Sequence, residues 1–415
     1  MNVETVFALT GAIIILGFVG NYLFKRFKIP DILILMLFGF ILGPFFNIIN
    51  PEIITPVSEI FISLALLTIL FDGGLHLNLY KVFEESPKAS LLAIFGVLMS
   101  MILTAGFTYF LFNWDILHGL LLGSIIGGSS SPIVISLIRK IKVPEKVITL
   151  LSLESALTDA ITIILGITFI QLITSPIGAN IQNVFGEIAS AFSVGFVMGL
   201  ILGIIWIRIL RLIKGEIYED ILTLSIVILF YSLTQSLGGN GAIFALTFGI
   251  ILGNGIQISK IFRMKNGVEA SEIMKKFQAQ ITFFIRTFFF VYLGLIISFT
   301  EGFSILIYGI ILTLILIVGR FSLVWLASIK SSFFKENEKI IGIMVPRGLS
   351  AAVLAQLIVI SGIPNASIYL NMVIIVIVLT VIISTLGILV FEKKSEKPAD
   401  LNGSILEEPV EESPE

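Results

Sequence analysis

The chain has 415 residues, of which 57% are hydrophobic and only 13% charged, about half the charged share of an ordinary globular protein. Its net charge is −2, with no basic stripe and no aromatic–basic interleaving, so nucleic acid is excluded as a partner. It has no cysteine, which excludes disulfides, thiolate catalysis and zinc–thiolate sites.

In chain order, the apolar runs predict thirteen transmembrane helices: 4–24, 30–49, 57–77, 89–113, 116–138, 145–173, 184–212, 220–238, 240–258, 276–299, 303–328, 339–362 and 366–391. About 20 apolar residues cross a bilayer as a helix. Inside hydrocarbon only helices or barrels close their backbone hydrogen bonds, and these runs are too long for barrel strands. The expected fold class is therefore an all-α polytopic membrane protein. Span one is followed, not preceded, by Lys25, Arg26 and Lys28, so it reads as a retained span rather than a cleaved signal.

Basic residues recur after every odd-numbered span: Lys81 and Lys88; Arg139, Lys140, Lys142 and Lys146; Arg211 and Lys214; Lys260, Arg263, Lys265, Lys275 and Lys276; then Lys330, Lys335 and Lys339. The even-numbered loops, such as 50–56, 175–182 and 362–365, carry none. Positive charge stays inside, so the N-terminus is expected outside the cell membrane and the C-terminus in the cytoplasm. His76 and His118 read as interfacial side chains. The segment 393–415 ends in Glu407, Glu408, Glu411, Glu412 and Glu415 and reads as a disordered cytoplasmic tail.

Two spans are interrupted. Span five holds Gly127-Gly128-Ser129-Ser130-Ser131-Pro132, and span twelve holds Val345-Pro346-Arg347-Gly348-Leu349-Ser350. Proline lacks an amide hydrogen and clashes with the preceding turn, so both should unwind. Irregular backbone at membrane depth survives only where it is buried in protein or lines an aqueous cavity. The two breaks lie an odd number of spans apart and so run in opposite directions. Such paired breaks point to a secondary-transporter site between inverted repeats, here spans one to six and eight to thirteen, with span seven joining them.

Intramembrane charges are costly and mark function. Asp159 lies about 20 Å into span six, near the midplane. Ser155 shares its face, and Glu154 shares a neighbouring face with Thr158. Glu154 and Asp159 diverge by about 140°, so one can face a water-filled cavity while the other meets a protein partner. Asp159 and Ser155 are the expected core of a sodium or potassium site. Thr158, Ser130, Ser131 and exposed carbonyls of the break supply further oxygens. A cation and a proton cannot both neutralise one carboxylate, so competition for Asp159 would couple their fluxes.

Arg347 is expected to pair structurally with Glu154; direct cation contact by Glu154 is the alternative. Arg286 and Arg320 are expected to fix helix positions through ion pairs, with Asp72 as their counter-charge. Glu187 reads as interfacial. Gly195, Gly199 and Gly203 recur every four residues in span seven and predict a close helix contact. No histidine accompanies Ser130 or Ser155, which disfavours an intramembrane enzyme. No filter sequence suggests a channel, and the breaks lack the aromatic and amide groups an organic-substrate symporter needs.

Glu154-Ser155-Ala156-Leu157-Thr158-Asp159 and Pro346-Arg347-Gly348-Leu349 resemble the signatures of the monovalent cation/proton antiporters, especially the electroneutral sodium/proton exchangers. Phe71-Asp72-Gly73-Gly74-Leu75 and Arg286-Thr287-Phe288-Phe289-Phe290 are similar to that family too, and the likeness covers residues 4–391. The resemblance implies exchange of sodium or lithium for protons, a role in pH homeostasis, and no cofactor. A potassium/proton antiporter or potassium efflux system is the alternative. It also implies a homodimer. Residues 1–88 and 215–302 would form the dimerisation domain, and 89–180 and 303–392 a moving core where spans five and twelve cross. Residues 181–214 would link them. The chain departs from the family where Ser131 replaces an aspartate before Pro132, and where Thr158 replaces asparagine or aspartate. One free carboxylate implies one-for-one exchange.

Overall fold

The computed structural model describes residues 3–27, 30–49, 55–77, 87–138, 141, 143–175, 181–213, 215–216, 218–263, 270–297 and 304–395. Lys28, Lys81, Arg139, Lys140, Lys142, Lys214, Lys265 and the acidic tail lie outside the described residues. Among the described residues the secondary structure is helical throughout, with no strand.

The helices are α1 (Val3–Phe27), α2 (Asp31–Phe40, continued by a π turn at Ile41–Phe45), α3 (Thr55–His76), α4 (Pro87–Phe112), α5 (Ile116–Ile125), α6 (Ser131–Ile138), α7 (Glu145–Thr174) and α8 (Ile181–Ile213). After these come α9 (Glu219–Ser236), α10 (Gly241–Gly253), α11 (Gly255–Ile261), α12 (Glu272–Leu295), α13 (Ser304–Ile329), α14 (Ser332–Ile343), α15 (Leu349–Ile360) and α16 (Ala366–Ser395). Among the described residues six are long and apolar enough to cross a membrane: α4, α7, α8, α12, α13 and α16. A seventh is added if α10 and α11, bent by 83°, count as one span. The chain is a multi-pass membrane protein.

Local chemistry sets the boundaries. Asp115 caps α5 by accepting from the Leu117 amide at 3.2 Å, Asn240 caps α10 through Ile243 at 3.1 Å, and Ser271 caps α12 through Met274 at 3.0 Å. Pro44 lies inside the π turn, where its missing amide hydrogen disturbs the helical ladder. The run 240–258, expected as one helix, instead bends at Asn254. Its side-chain amide donates to the Leu77 carbonyl and to the Ile250 carbonyl, both at 2.8 Å, and so ties the bend to the end of α3.

Glycines decide which helices touch. A Cβ on Gly199 would lie 2.7 Å from Thr247 Cβ, and one on Gly203 would lie 2.8 Å from Ile251 Cγ2. The span-seven stripe therefore packs α8 on α10. Gly39 and Gly294 bring α2 and α12 backbone to backbone, as Gly74 and Gly249 do for α3 and α10.

The helices sort into two packing groups. α4, α5, α6 and α7 pack with α13, α14, α15 and α16, while α1, α2, α3, α9, α10 and α12 pack among themselves. α3 and α12 meet α15, and α3 also meets α7. At one end of the first group, the Tyr369 ring stacks on Trp114 with centroids 4.6 Å apart. Its hydroxyl lies 2.8 Å from His118 Nδ1, joining the starts of α5 and α16. His76 instead sits exposed at the end of α3, with Nδ1 2.9 Å from the Asp72 carbonyl.

Candidate cation-binding site

Both glycine–proline interruptions are non-helical: α5 ends at Ile125 and α6 begins at Ser131, while α14 ends at Ile343 and α15 begins at Leu349. The interruptions touch. The Ser130 amide donates to the Pro346 carbonyl at 2.7 Å, and a Cβ on Gly348 would collide with the Ser130 side chain. Glycine at 348 is thus required by close approach.

Asp159 projects from α7 to this meeting point. One carboxylate oxygen accepts from Ser131 Oγ at 2.7 Å and from the Ser131 amide at 3.3 Å. The other accepts from Ser350 Oγ at 2.7 Å. Asp159 keeps part of its surface accessible, while Glu154, five residues earlier, is buried. The ion pairs found among the described residues do not include Asp159.

The other expected ligands hold the break in place. Thr158 Oγ1 accepts from the Ser129 amide at 3.1 Å and donates to the Ser155 carbonyl at 3.0 Å. The Ser155 hydroxyl donates to the Ser152 carbonyl at 3.1 Å, along its own helix. Ser131 is thus brought to Asp159, whereas the hydroxyls of Ser155 and Thr158 serve backbone in this conformation.

Two expected pairings are corrected. Glu154 pairs with Arg320 rather than Arg347: Nη1 and Nη2 donate to its two carboxylate oxygens, the latter at 2.8 Å. Arg320 also donates to the Ile341 carbonyl at 3.1 Å and 3.3 Å. Arg347 turns to the other break, where Nη1 donates to the carbonyls of Gly127 at 3.0 Å and Gly128 at 2.6 Å. Unwinding leaves carbonyls without helical partners, and one guanidinium nitrogen satisfies both. The Arg347 amide donates to Thr380 Oγ1 at 3.1 Å.

The second correction concerns Asp72. Arg286 pairs directly with Asp31 at 2.7 Å and Arg320 with Glu154, so Asp72 forms a direct ion pair with neither, although the Arg286 charge still acts on its carboxylate. The Asp72 carboxylate lies 3.5 Å from His76 Nδ1, one turn further along α3. Glu187 is exposed.

Three residues carry roles that sequence reading missed: Ser350, Asp31 and Arg320 as the partner of Glu154. Depth holds the signal for the last. Glu154 lies nine residues in from Glu145 and Arg320 nine in from Ile329, both counted from cytoplasmic ends in the predicted topology.

Beside Glu154, Arg320 and Arg347 lies a cavity of about 20 Å³, also lined by Ser129 and Thr158. That is room for a single water. Among the described residues no cluster of three or more His, Asp or Glu side chains is built for a tightly held metal ion. The hydroxyl oxygens of Ser131 and Ser350 lie in hydrogen-bond contact with the Asp159 carboxylate where the two interruptions meet.

A multi-pass helical protein with an intramembrane carboxylate at two touching helix breaks has the architecture of a secondary transporter. The family described as sodium/hydrogen exchanger, transmembrane, matches residues 12–392. The chain belongs to that family.

The K(+)/H(+) antiporter NhaP2 of Shewanella oneidensis is 26% identical over 330 residues, covering 77% of this chain and 55% of that protein. The K(+)/H(+) antiporter NhaP of Alkalimonas amylolytica is 22% identical over 384 residues, covering 90% and 63%. The chain thus spans little more than half the length of the curated relatives it matches. The structure of the sodium proton antiporter MjNhaP1 from Methanocaldococcus jannaschii shares the fold, with a TM-score of 0.79 at 21% identity. That match covers 93% of this chain and all of that one.

Proposed function

We propose that this chain is a secondary active antiporter that exchanges sodium or lithium for protons, one for one, by alternating access. The observation that carries the reading is Asp159: an intramembrane carboxylate, partly accessible, held by hydroxyls and an amide rather than by a basic side chain. A carboxylate so placed takes up either a proton or a small cation, and each excludes the other. Glu154 is consumed by Arg320, which leaves Asp159 as the exchanging group, with Ser131, Ser130, Ser155 and Thr158 supplying oxygens as the site reshapes.

The reading includes thirteen spans in two inverted repeats, with the short pairs α5/α6 and α14/α15 as broken spans five and twelve. Packing supports the repeat: α3 on α10 and α2 on α12 become equivalent when spans two and three exchange with nine and ten. The two packing groups support a scaffold of 1–88 and 215–302 and a moving core of 89–180 and 303–392, joined by 181–214. The scaffold would carry the contact with a second copy. The N-terminus would lie outside the cell membrane and the C-terminus in the cytoplasm.

A potassium/proton antiporter is the second reading, favoured by the names of the relatives from Shewanella and Alkalimonas. Proteoliposomes with an imposed proton gradient separate the two. Sodium and lithium should collapse the gradient at lower concentration than potassium; the reverse order supports the second reading, and no collapse by any of them rejects both.

A further inference from the structure

We propose that Ser350 is a direct cation ligand, the oxygen through which the second broken helix sets the preference for a small monovalent cation. The proposal rests on the reading of Asp159 as the exchange site.

Most hydroxyls near the site serve their own helix. Thr162, Thr380 and Ser136 donate to carbonyls three or four residues earlier, as intramembrane serines and threonines commonly do. Ser350 does not. Its Oγ leaves the first turn of α15 and reaches Asp159 Oδ1 at 2.7 Å. Ser131 reaches Oδ2 from the first turn of α6 at the same distance. The carboxylate is therefore flanked by one hydroxyl from each broken helix.

The register that aims Ser350 is built in. Gly348 sits against Ser130 without room for a Cβ, and the Ser130 amide holds the Pro346 carbonyl at 2.7 Å. Ser350 itself is 5% exposed.

A hydroxyl that donates its hydrogen keeps two lone pairs. When a cation docks at the carboxylate, both hydroxyls can swing their hydrogens away and coordinate it. Ser131 and Ser350 are both neutral, so neutral oxygens complete the shell around the single carboxylate. Two carboxylate oxygens and two hydroxyls in hydrogen-bond contact form a compact set, which favours a small cation over a larger one.

The test uses the purified 415-residue chain in proteoliposomes, with cation-driven proton flux measured over a range of sodium and potassium concentrations. Ser350→Ala and Ser350→Cys should each raise the sodium KM about tenfold, the scale of one interaction with a charged group. Their maximal rates should change far less, and the sodium-over-potassium preference should shrink. Ser350→Thr, which keeps the oxygen, should restore the sodium KM. Ser136→Ala, which removes a hydroxyl bonded within α6, should behave as wild type. Wild-type KM in Ser350→Cys, or a raised KM that Ser350→Thr does not restore, overturns the role of Ser350 while leaving antiport intact. If the wild type itself moves no protons in response to cations, the proposal falls with the antiport reading.

Discussion

At the residue scale, the Glu154–Arg320 pair is the site's main structural charge. Both partners are buried, and the guanidinium also holds the Ile341 carbonyl. Removing one partner strands the other, a loss of about 3–5 kcal/mol. Arg320→Ala is therefore expected to lower the melting temperature of the purified protein sharply. Arg320→Lys should recover only part of the loss, because an ammonium cannot donate along two parallel bonds. An unchanged melting curve in Arg320→Ala would show that the pair does not hold α13 to α7. The carboxylates Glu154 and Asp159 were legible from depth and spacing alone, as was their divergence around the helix. Their partners were not. Span twelve carries the conspicuous arginine, yet pairing is set by helix azimuth and by which carbonyls unwinding exposes. Asp31 opens a helix beside Pro30 and reads as a first-turn residue rather than the partner of Arg286.

At the element scale, contact between helices is governed by glycine rather than by the hydrophobic effect, since lipid tails are as apolar as leucine. The α2–α12 contact is the clearest case. A side chain on Gly294 would run into the Met36 carbonyl oxygen and Gly39. Overpacking costs about 1–3 kcal/mol even where neighbours can yield, and backbone yields least. Gly294→Val should therefore reduce the yield of monodisperse protein in size-exclusion chromatography, whereas Gly106→Ala, with nothing within 4 Å, should not. Equal yields would mean that α2 and α12 do not meet through these glycines. The stripe at Gly195, Gly199 and Gly203 was readable because a four-residue period needs no knowledge of the partner. That the partner is α10 was not readable. The bend at Asn254 was hidden too, because the apolar run continues through it and the cause is a side-chain bond to Leu77, distant in sequence.

At the scale of the whole molecule, the account rests on one carboxylate presented alternately to the two sides of the membrane. In the proposed cycle it holds either one proton or one monovalent cation, so each turnover should move no net charge. Valinomycin and potassium can clamp the potential across proteoliposomes during sodium-driven proton flux. The rate and end-point should be indifferent to the clamp; dependence on it would bring Glu154 into the cycle. The rate should also be bell-shaped in pH, since protons displace the cation at low pH and too few are bound for the return step at high pH. The most direct measurement compares wild type with Asp159→Asn in proteoliposomes holding an imposed proton gradient. Added sodium should collapse the gradient with wild type. The variant, folded and inserted with an unchanged elution profile, should behave as empty liposomes do. Sodium-driven proton movement retained in Asp159→Asn would contradict the proposed cycle.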